Sequence, residues 1–209
     1  MTPDMDAIYR ELPVEKIPWC MESPPELLVE LIRNGTIRPC RAVDLGCGTG
    51  CYTIYLAQNG FEATGIDLAP TAIEIAKANA TKKGVACRFI TADVLGDLSE
   101  MSGAFDFAFD WELLHHIFPE ERERYFSNVH DILAPGGKYL TVSFSERDPQ
   151  FGGKGKKRTT PLGTVLYFSS ESEMSEMLRP RFVVRDLRTI QVRGKPSPHW
   201  AVMALSERR

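Results

Sequence analysis

The chain has 209 residues, 43% of them hydrophobic and 25% charged, with a formal net charge of −3; this suits one well-buried domain and argues against a general nucleic-acid binder. No window approaches the ~20 apolar residues of a membrane span, and MTPDMDAIYRELPVEK at the N-terminus has acids where a secretory leader needs basic and then apolar residues, so a cytoplasmic protein with no membrane partner is expected. Five cysteines (Cys20, Cys40, Cys47, Cys51, Cys87) without CxxC spacing argue against a disulfide framework or zinc knuckle and read as free thiols.

In chain order, a short polar lead and IPWCMESPP precede a helix opened by Pro24 and Pro25, with Leu27, Leu28, Leu31 and Ile32 at helical spacing and Gly35 at its end. RAVDL (41–45) is the first strand, and YTIYLAQN (52–59) the helix after a glycine turn. EATGID (62–67), a helix over 70–83, ACRFIT (86–91), FDFAFD (105–110), an amphipathic helix over 120–133, a turn at LAPGG and a strand over 138–145 continue the alternation. Strands alternating with helices predict a parallel sheet covered on both faces. After 145 comes a long polar, glycine-rich segment, a helix over 169–178, and two strand-like runs (181–190 and 199–207) joined by RGKPSP, which predict an antiparallel pair at one edge. The fold class expected is therefore α/β: a single Rossmann-like domain with a mostly parallel seven-stranded sheet. It divides into an N-terminal cap segment and helix (1–39), a cofactor-binding core (40–145), and a lid loop with the C-terminal strands (146–209).

VDLGCGTG (43–50) poses a chemical conflict. A glycine turn after an apolar strand usually cradles phosphate with bare N–H groups, yet Asp44 stands at its mouth. The predicted strand ends carry Asp44, Asp67, Asp93 and Asp110, which predicts four carboxylates facing one crevice. The dinucleotide fingerprint GxGxxG needs its third glycine at position 51, which is Cys51; Gly46, Gly48 and Gly50 instead follow GxGxG. A ligand with an ammonium group, a cationic sulfur and a ribose suits those acids better than a pyrophosphate does.

Over roughly residues 40 to 145 the sequence resembles the class I S-adenosylmethionine-dependent methyltransferases: VDLGCGTG matches the first motif, GID (65–67) the ribose-binding acid, TADVL (91–95) the adenine motif, FDFAFDWELLHHI the fourth, and LAPGGKYL the turn before strand five. The resemblance implies S-adenosylmethionine as cofactor and S-adenosylhomocysteine as product. It implies that Gly46, Gly48 and Gly50 approach the methionine moiety, with Asp44 near its amino group. Asp67 would accept both ribose hydroxyls, Leu68 would flank the adenine, Asp93 would accept from the adenine amine beside Val94, and Asp110 would stand at the border with the acceptor.

The acceptor is less marked. DNA amino-methyltransferases carry a D/N-P-P-Y/F motif, whereas Asp110 is followed by Trp111, Glu112 and Leu113. The flanks AIYRELPVEKIPW and RTTPLGTVLYFSSESEM, together with DWELLHHI, resemble thiol and thiopurine S-methyltransferases, which implies that Trp19 folds over the cofactor; it equally reads as a hydrophobic anchor. His115 and His116 are candidate bases, at most one of them entering the site, with a metal patch through Glu120 or a helix-end role as alternatives. Arsenite capture by Cys20, Cys47 and Cys51 is a minor idea.

The reading is methyl transfer to a small-molecule acceptor, such as a thiol or other soft nucleophile. Its rivals are a protein or RNA acceptor docked through KGKKR (154–158), and a non-catalytic cofactor-binding regulatory module. Residues 145–165 and the N-terminal segment through Trp19 are expected to act together as a lid.

Overall fold

Strand β1 (Arg41–Leu45) lies in the middle of a seven-stranded sheet, paired in parallel with β2 (Glu62–Asp67) on one side and β4 (Phe105–Trp111) on the other. The order is β3-β2-β1-β4-β5-β9-β8, where β3 is Arg88–Thr91, β5 Leu133–Phe144, β8 Phe182–Val192 and β9 His199–Arg208. β9 runs antiparallel to both β5 and β8, so the expected edge pair is present and its inner member closes onto the parallel set. The strand order reverses between β1 and β4, which opens a crevice above their carboxyl ends. The structure is a computed structural model that describes residues 4–195 and 197–209. Residues 1–3 of the expected cap segment, and Pro196 in the expected RGKPSP link, lie outside it.

Both faces of the sheet are covered. On one, Leu28 of α2 (Glu26–Arg33) and Leu56 of α3 (Cys51–Gln58) bury against Ala42, Phe107, Phe109, Leu140 and Val142. On the other, Tyr125, Phe126 and Val129 of α5 (Pro119–Ile132) and Met174 and Leu178 of α6 (Glu171–Leu178) pack on Val43, Leu45, Ala108 and Tyr139. α6 begins with a capping box: Ser170 Oγ accepts from the Glu173 N–H while the Glu173 carboxylate accepts from the Ser170 N–H. Helix α4 (Pro70–Lys83) starts on its proline and ends on Gly84 at φ +65°.

Three elements differ from the sequence reading. The polar lead holds a helix, α1 (Met5–Glu11), capped by Asp4 and burying Ile8 and Tyr9. LAPGG is not a turn before strand five but a bulge within it: Phe105 pairs with Leu133, then Phe107 with Lys138. The polar segment after 145 is built structure, with a small hairpin of β6 (Lys157–Thr159) and β7 (Val165–Tyr167). Arg158 anchors it. It is 4% exposed, stacks 3.9 Å over Phe168, and donates to the carbonyls of Asp148, Gln150 (3.0 Å), Gly155 (2.9 Å) and Glu146 (3.0 Å).

Candidate active site

A cavity of about 420 Å³ opens above the ends of β1, β2 and β4, within the range of small-molecule sites. The glycine turn forms one side, and its backbone resolves the conflict posed by Asp44. The N–H groups of Gly46 and Cys47 both donate to the Ile66 carbonyl (2.8 and 3.0 Å), that of Gly48 to Asp67 Oδ2 (2.8 Å), and that of Gly50 to the Cys47 carbonyl (2.9 Å). Four donors that would cradle a phosphate are committed to the protein. The lining also includes four carboxylates, Asp4, Asp67, Asp93 and Glu112, and no lysine or arginine among the described residues. This is a pocket for a cation or a neutral molecule, and a poor one for an anion.

Asp67, at the end of β2, accepts from Gly48 and, through Oδ1, from the Ala69 N–H (2.9 Å). Burial raises its carboxyl above the ordinary range while these backbone donors oppose the shift. Asp93 is exposed at the mouth, one oxygen accepting from the Leu95 N–H (2.8 Å); Leu68 (61% exposed) and Val94 line the same stretch. Trp19 lines the opposite side, and its Nε1–H donates to the Tyr9 hydroxyl at 2.9 Å. That hydroxyl sits over the glycine turn, 3.0 Å from where a Cβ on Gly48 would stand.

Two of the four expected carboxylates do not reach the cavity. Asp44 is 2% exposed and accepts from Thr53 Oγ1 (2.7 Å) beneath the turn. Asp110 is fully buried and accepts from Tyr139 (2.5 Å), Tyr125 (3.0 Å), Thr141 (3.1 Å) and the Leu114 N–H (3.4 Å). It fixes the chain that follows β4 rather than facing an acceptor. Desolvation pushes Asp44 up to about 7 and Asp110 to about 6, against the hydrogen bonds each receives. An acid raised in the folded state from 3.8 keeps its proton while the unfolded chain has lost it, so stability falls as pH rises from about 4 to 7. Relative to Asp44→Asn, the wild type is expected to lose stability across that window, by on the order of 4 kcal/mol if Asp44 accounts for all of it. Denaturant titrations at several pH values check this; a difference between the two proteins that does not vary with pH rules it out.

The remaining wall comprises Cys51, Tyr52, Trp111, Glu112, Leu113, His116 and Ile117. Of the two candidate histidines only His116 lines the cavity, its imidazole lowered to about 4 by desolvation and therefore neutral. His115 is buried, its ring 4.8 Å from that of Phe144, and Glu120 is exposed on α5. Arg122 of α5 is 1% exposed; it donates to the carbonyls of Ile117 (2.8 Å) and Leu114 (3.3 Å) and to Ser169 Oγ (2.9 Å), tying down the turn that carries both histidines. Burial lifts the thiols of Cys20 and Cys51 to about 11 and that of Cys47 well above its usual value, which keeps all three protonated. Residues 145–165 contribute nothing to the lining among the described residues, whereas Asp4, Met5, Tyr9, Trp19, Cys20 and Met21 of the N-terminal segment do.

Residues 42–137 match the family model described as a methyltransferase domain. The sheet order and its flanking helices are those of the Rossmann-like methyltransferase fold. A 2-heptyl-1-hydroxyquinolin-4(1H)-one methyltransferase of Mycobacteroides abscessus is 33% identical over 130 residues, covering 62% of this chain and 56% of that protein, so the chain spans little more than half of this curated relative. A structure solved for the conversion of a disulfide bond into a thioacetal group during echinomycin biosynthesis superposes with a TM-score of 0.83 at 26% identity, covering 97% of this chain and 91% of that one. The 1,6-didemethyltoxoflavin-N1-methyltransferase of Burkholderia thailandensis, solved with its substrate and S-adenosylhomocysteine, superposes at 0.74 with 22% identity, covering 97% and 84%. The acids that line the cavity beside the glycine turn, Asp67 and Asp93, suit a cationic cofactor such as S-adenosylmethionine. Among the described residues no helix is long and apolar enough to cross a membrane.

Proposed function

We propose that the protein transfers the methyl group of S-adenosylmethionine to a small organic acceptor. The charge of the cavity carries this reading: four carboxylates and no lining lysine or arginine, beside a glycine turn four of whose N–H groups are already taken. Asp67 accepts the ribose hydroxyls, Asp93 the adenine amine between Leu68 and Val94, and Gly46, Gly48 and Gly50 hold the methionine end under Tyr9 and Trp19. Asp44 and Asp110 act from below, as supports for the turn and for the segment after β4. The donor supplies a methyl group already activated on a cationic sulfur, so the chain's part is to hold the acceptor in line with it and exclude water. No covalent nucleophile is required.

A macromolecular acceptor is disfavoured by the fate of KGKKR. Lys156 pairs with Glu146 (3.3 Å) and Glu173 (2.6 Å), Lys157 lies over the Phe118 ring, and Arg158 is buried. The finer resemblance to thiol and thiopurine enzymes rests on the flanks, and proteins of similar fold act around sulfur and nitrogen, so thiols stay in the test. Calorimetry with S-adenosylhomocysteine and NAD, then labelled S-adenosylmethionine with 4-hydroxyquinoline, phenol, 4-nitrophenol, aniline and thiophenol, checks the proposal. Binding of S-adenosylhomocysteine but not NAD, and labelled product from at least one acceptor, are expected. Tighter binding of NAD, or labelling confined to added RNA and lost steeply with salt, overturns it.

A further inference from the structure

Glu112 departs from its surroundings in three ways. It is one of two non-glycine residues among those described with positive φ (67°), a conformation that costs a side-chain-bearing residue and persists where the surrounding structure imposes it. It lines the cavity directly after Trp111, beyond the end of β4. And its Oε1 accepts from the Nε2–H of His199, the first residue of β9, which is 5% exposed and lies 87 residues away. The His199 ring is held in turn by Phe144 (centroids 4.5 Å apart). The bend at Glu112 is fixed by its N–H, which donates to the Val142 carbonyl at 2.8 Å.

We propose that Glu112 is the general base of the methyl transfer, with His199 as its positioning residue, and that the acceptor is a neutral aromatic compound with a dissociable proton on oxygen or nitrogen. This rests on the function proposed above. A nucleophile that arrives ionised must bring an anion among Asp4, Asp67, Asp93 and Glu112 with no lining cation to receive it. A neutral acceptor that gives up its proton only as the methyl moves avoids that cost. The broad apolar faces of Tyr52 and Trp111 on the same wall suit a ring.

The step balances without a further reagent. The acceptor's lone pair forms the bond to the methyl carbon, the methyl–sulfur bond breaks with its electron pair passing to sulfur, and the acceptor's proton goes to the Glu112 carboxylate. The products are methylated acceptor, neutral S-adenosylhomocysteine and protonated Glu112, which returns its proton to solvent. His199 keeps Nε2–H on Oε1, leaving Oε2 to receive the proton.

Glu112→Gln preserves shape and removes the base. It is expected to lower kcat for phenol by ~100-fold or more, the ordinary yield of a general base, with S-adenosylhomocysteine affinity unchanged by calorimetry. For 4-nitrophenol, already ionised near neutrality, the loss should be below about tenfold, and Glu112→Asp should recover part of the rate for phenol. His199→Gln, which keeps a donor for Glu112, should retain most turnover, whereas His199→Phe should lose it. Equal losses for both phenols, or Glu112→Gln within threefold of wild type on phenol, overturn the base role. Transfer to thiophenol but to no oxygen or nitrogen acceptor overturns the acceptor class while leaving the methyltransferase reading intact. Absence of transfer by the wild type to every acceptor overturns both.

Discussion

Asp67→Ala is expected to weaken binding of S-adenosylhomocysteine by about 10- to 150-fold, or ~1.5–3 kcal/mol, the range for losing charge-assisted hydrogen bonds. The carboxylate has two duties. It orders the glycine turn and the start of α4 through the Gly48 and Ala69 N–H groups, and its remaining lone pairs are proposed to meet the ribose. Alanine removes both and strands two N–H groups beside the cavity. Asp67→Asn should fall between, because an amide has only one oxygen to share between those two donors. Asp93→Ala should cost less, since Asp93 is exposed and screened by water. Calorimetry on the folded variants checks the order; unchanged affinity for Asp67→Ala overturns the placement of the ribose.

Gly50→Ala is expected to destabilise the fold by about 2–4 kcal/mol, from a left-handed backbone and overpacking together. Gly50 caps α3 at φ +80°, and a Cβ there would lie 2.9 Å from both Ala76 Cβ and the Phe89 ring. Neither neighbour is the yielding tip of a long side chain. Gly84→Ala is the control: its φ is +65°, but nothing lies within 4 Å of the added Cβ, so only the backbone term of about 1–2 kcal/mol remains. Thermal or denaturant unfolding of the two variants separates the terms. Equal losses mean that the turn is not packed as tightly as its contacts indicate.

The parallel core was legible because its signals are local. RAVDL, EATGID and FDFAFD are largely apolar runs with an acid at or next to their ends, and Pro70 and Gly84 bracket a helix by their own backbone preferences. Asp67 was legible for the same reason, sitting at a strand end where a turn begins. Side-chain direction was not. Asp44 and Asp110 also close strands, yet Thr53, Tyr125, Tyr139 and Thr141 supply buried hydroxyls that draw them beneath the crevice, and those partners lie up to 31 residues away. Glu112 and His199 meet only because β9 inserts beside β5. Arg122 is surrounded in sequence by charges that do face water, and nothing local distinguishes it. α1 escaped notice because seven residues span too few turns for periodicity, although Asp4 as its cap was a usable sign.

The two sides of the cavity hang on different stretches of chain. The glycine turn, Asp67 and Asp93 follow the first three strands, inside the segment that the family model matches. The opposite wall combines Trp111, at the end of β4, and Glu112, both also inside that segment, with support that lies beyond it: His199 of β9 on Glu112, and Ser169 on Arg122 behind the wall. A change at His199 or Ser169 can therefore reshape that wall from outside the matched segment while the glycine turn, Asp67 and Asp93 keep their geometry.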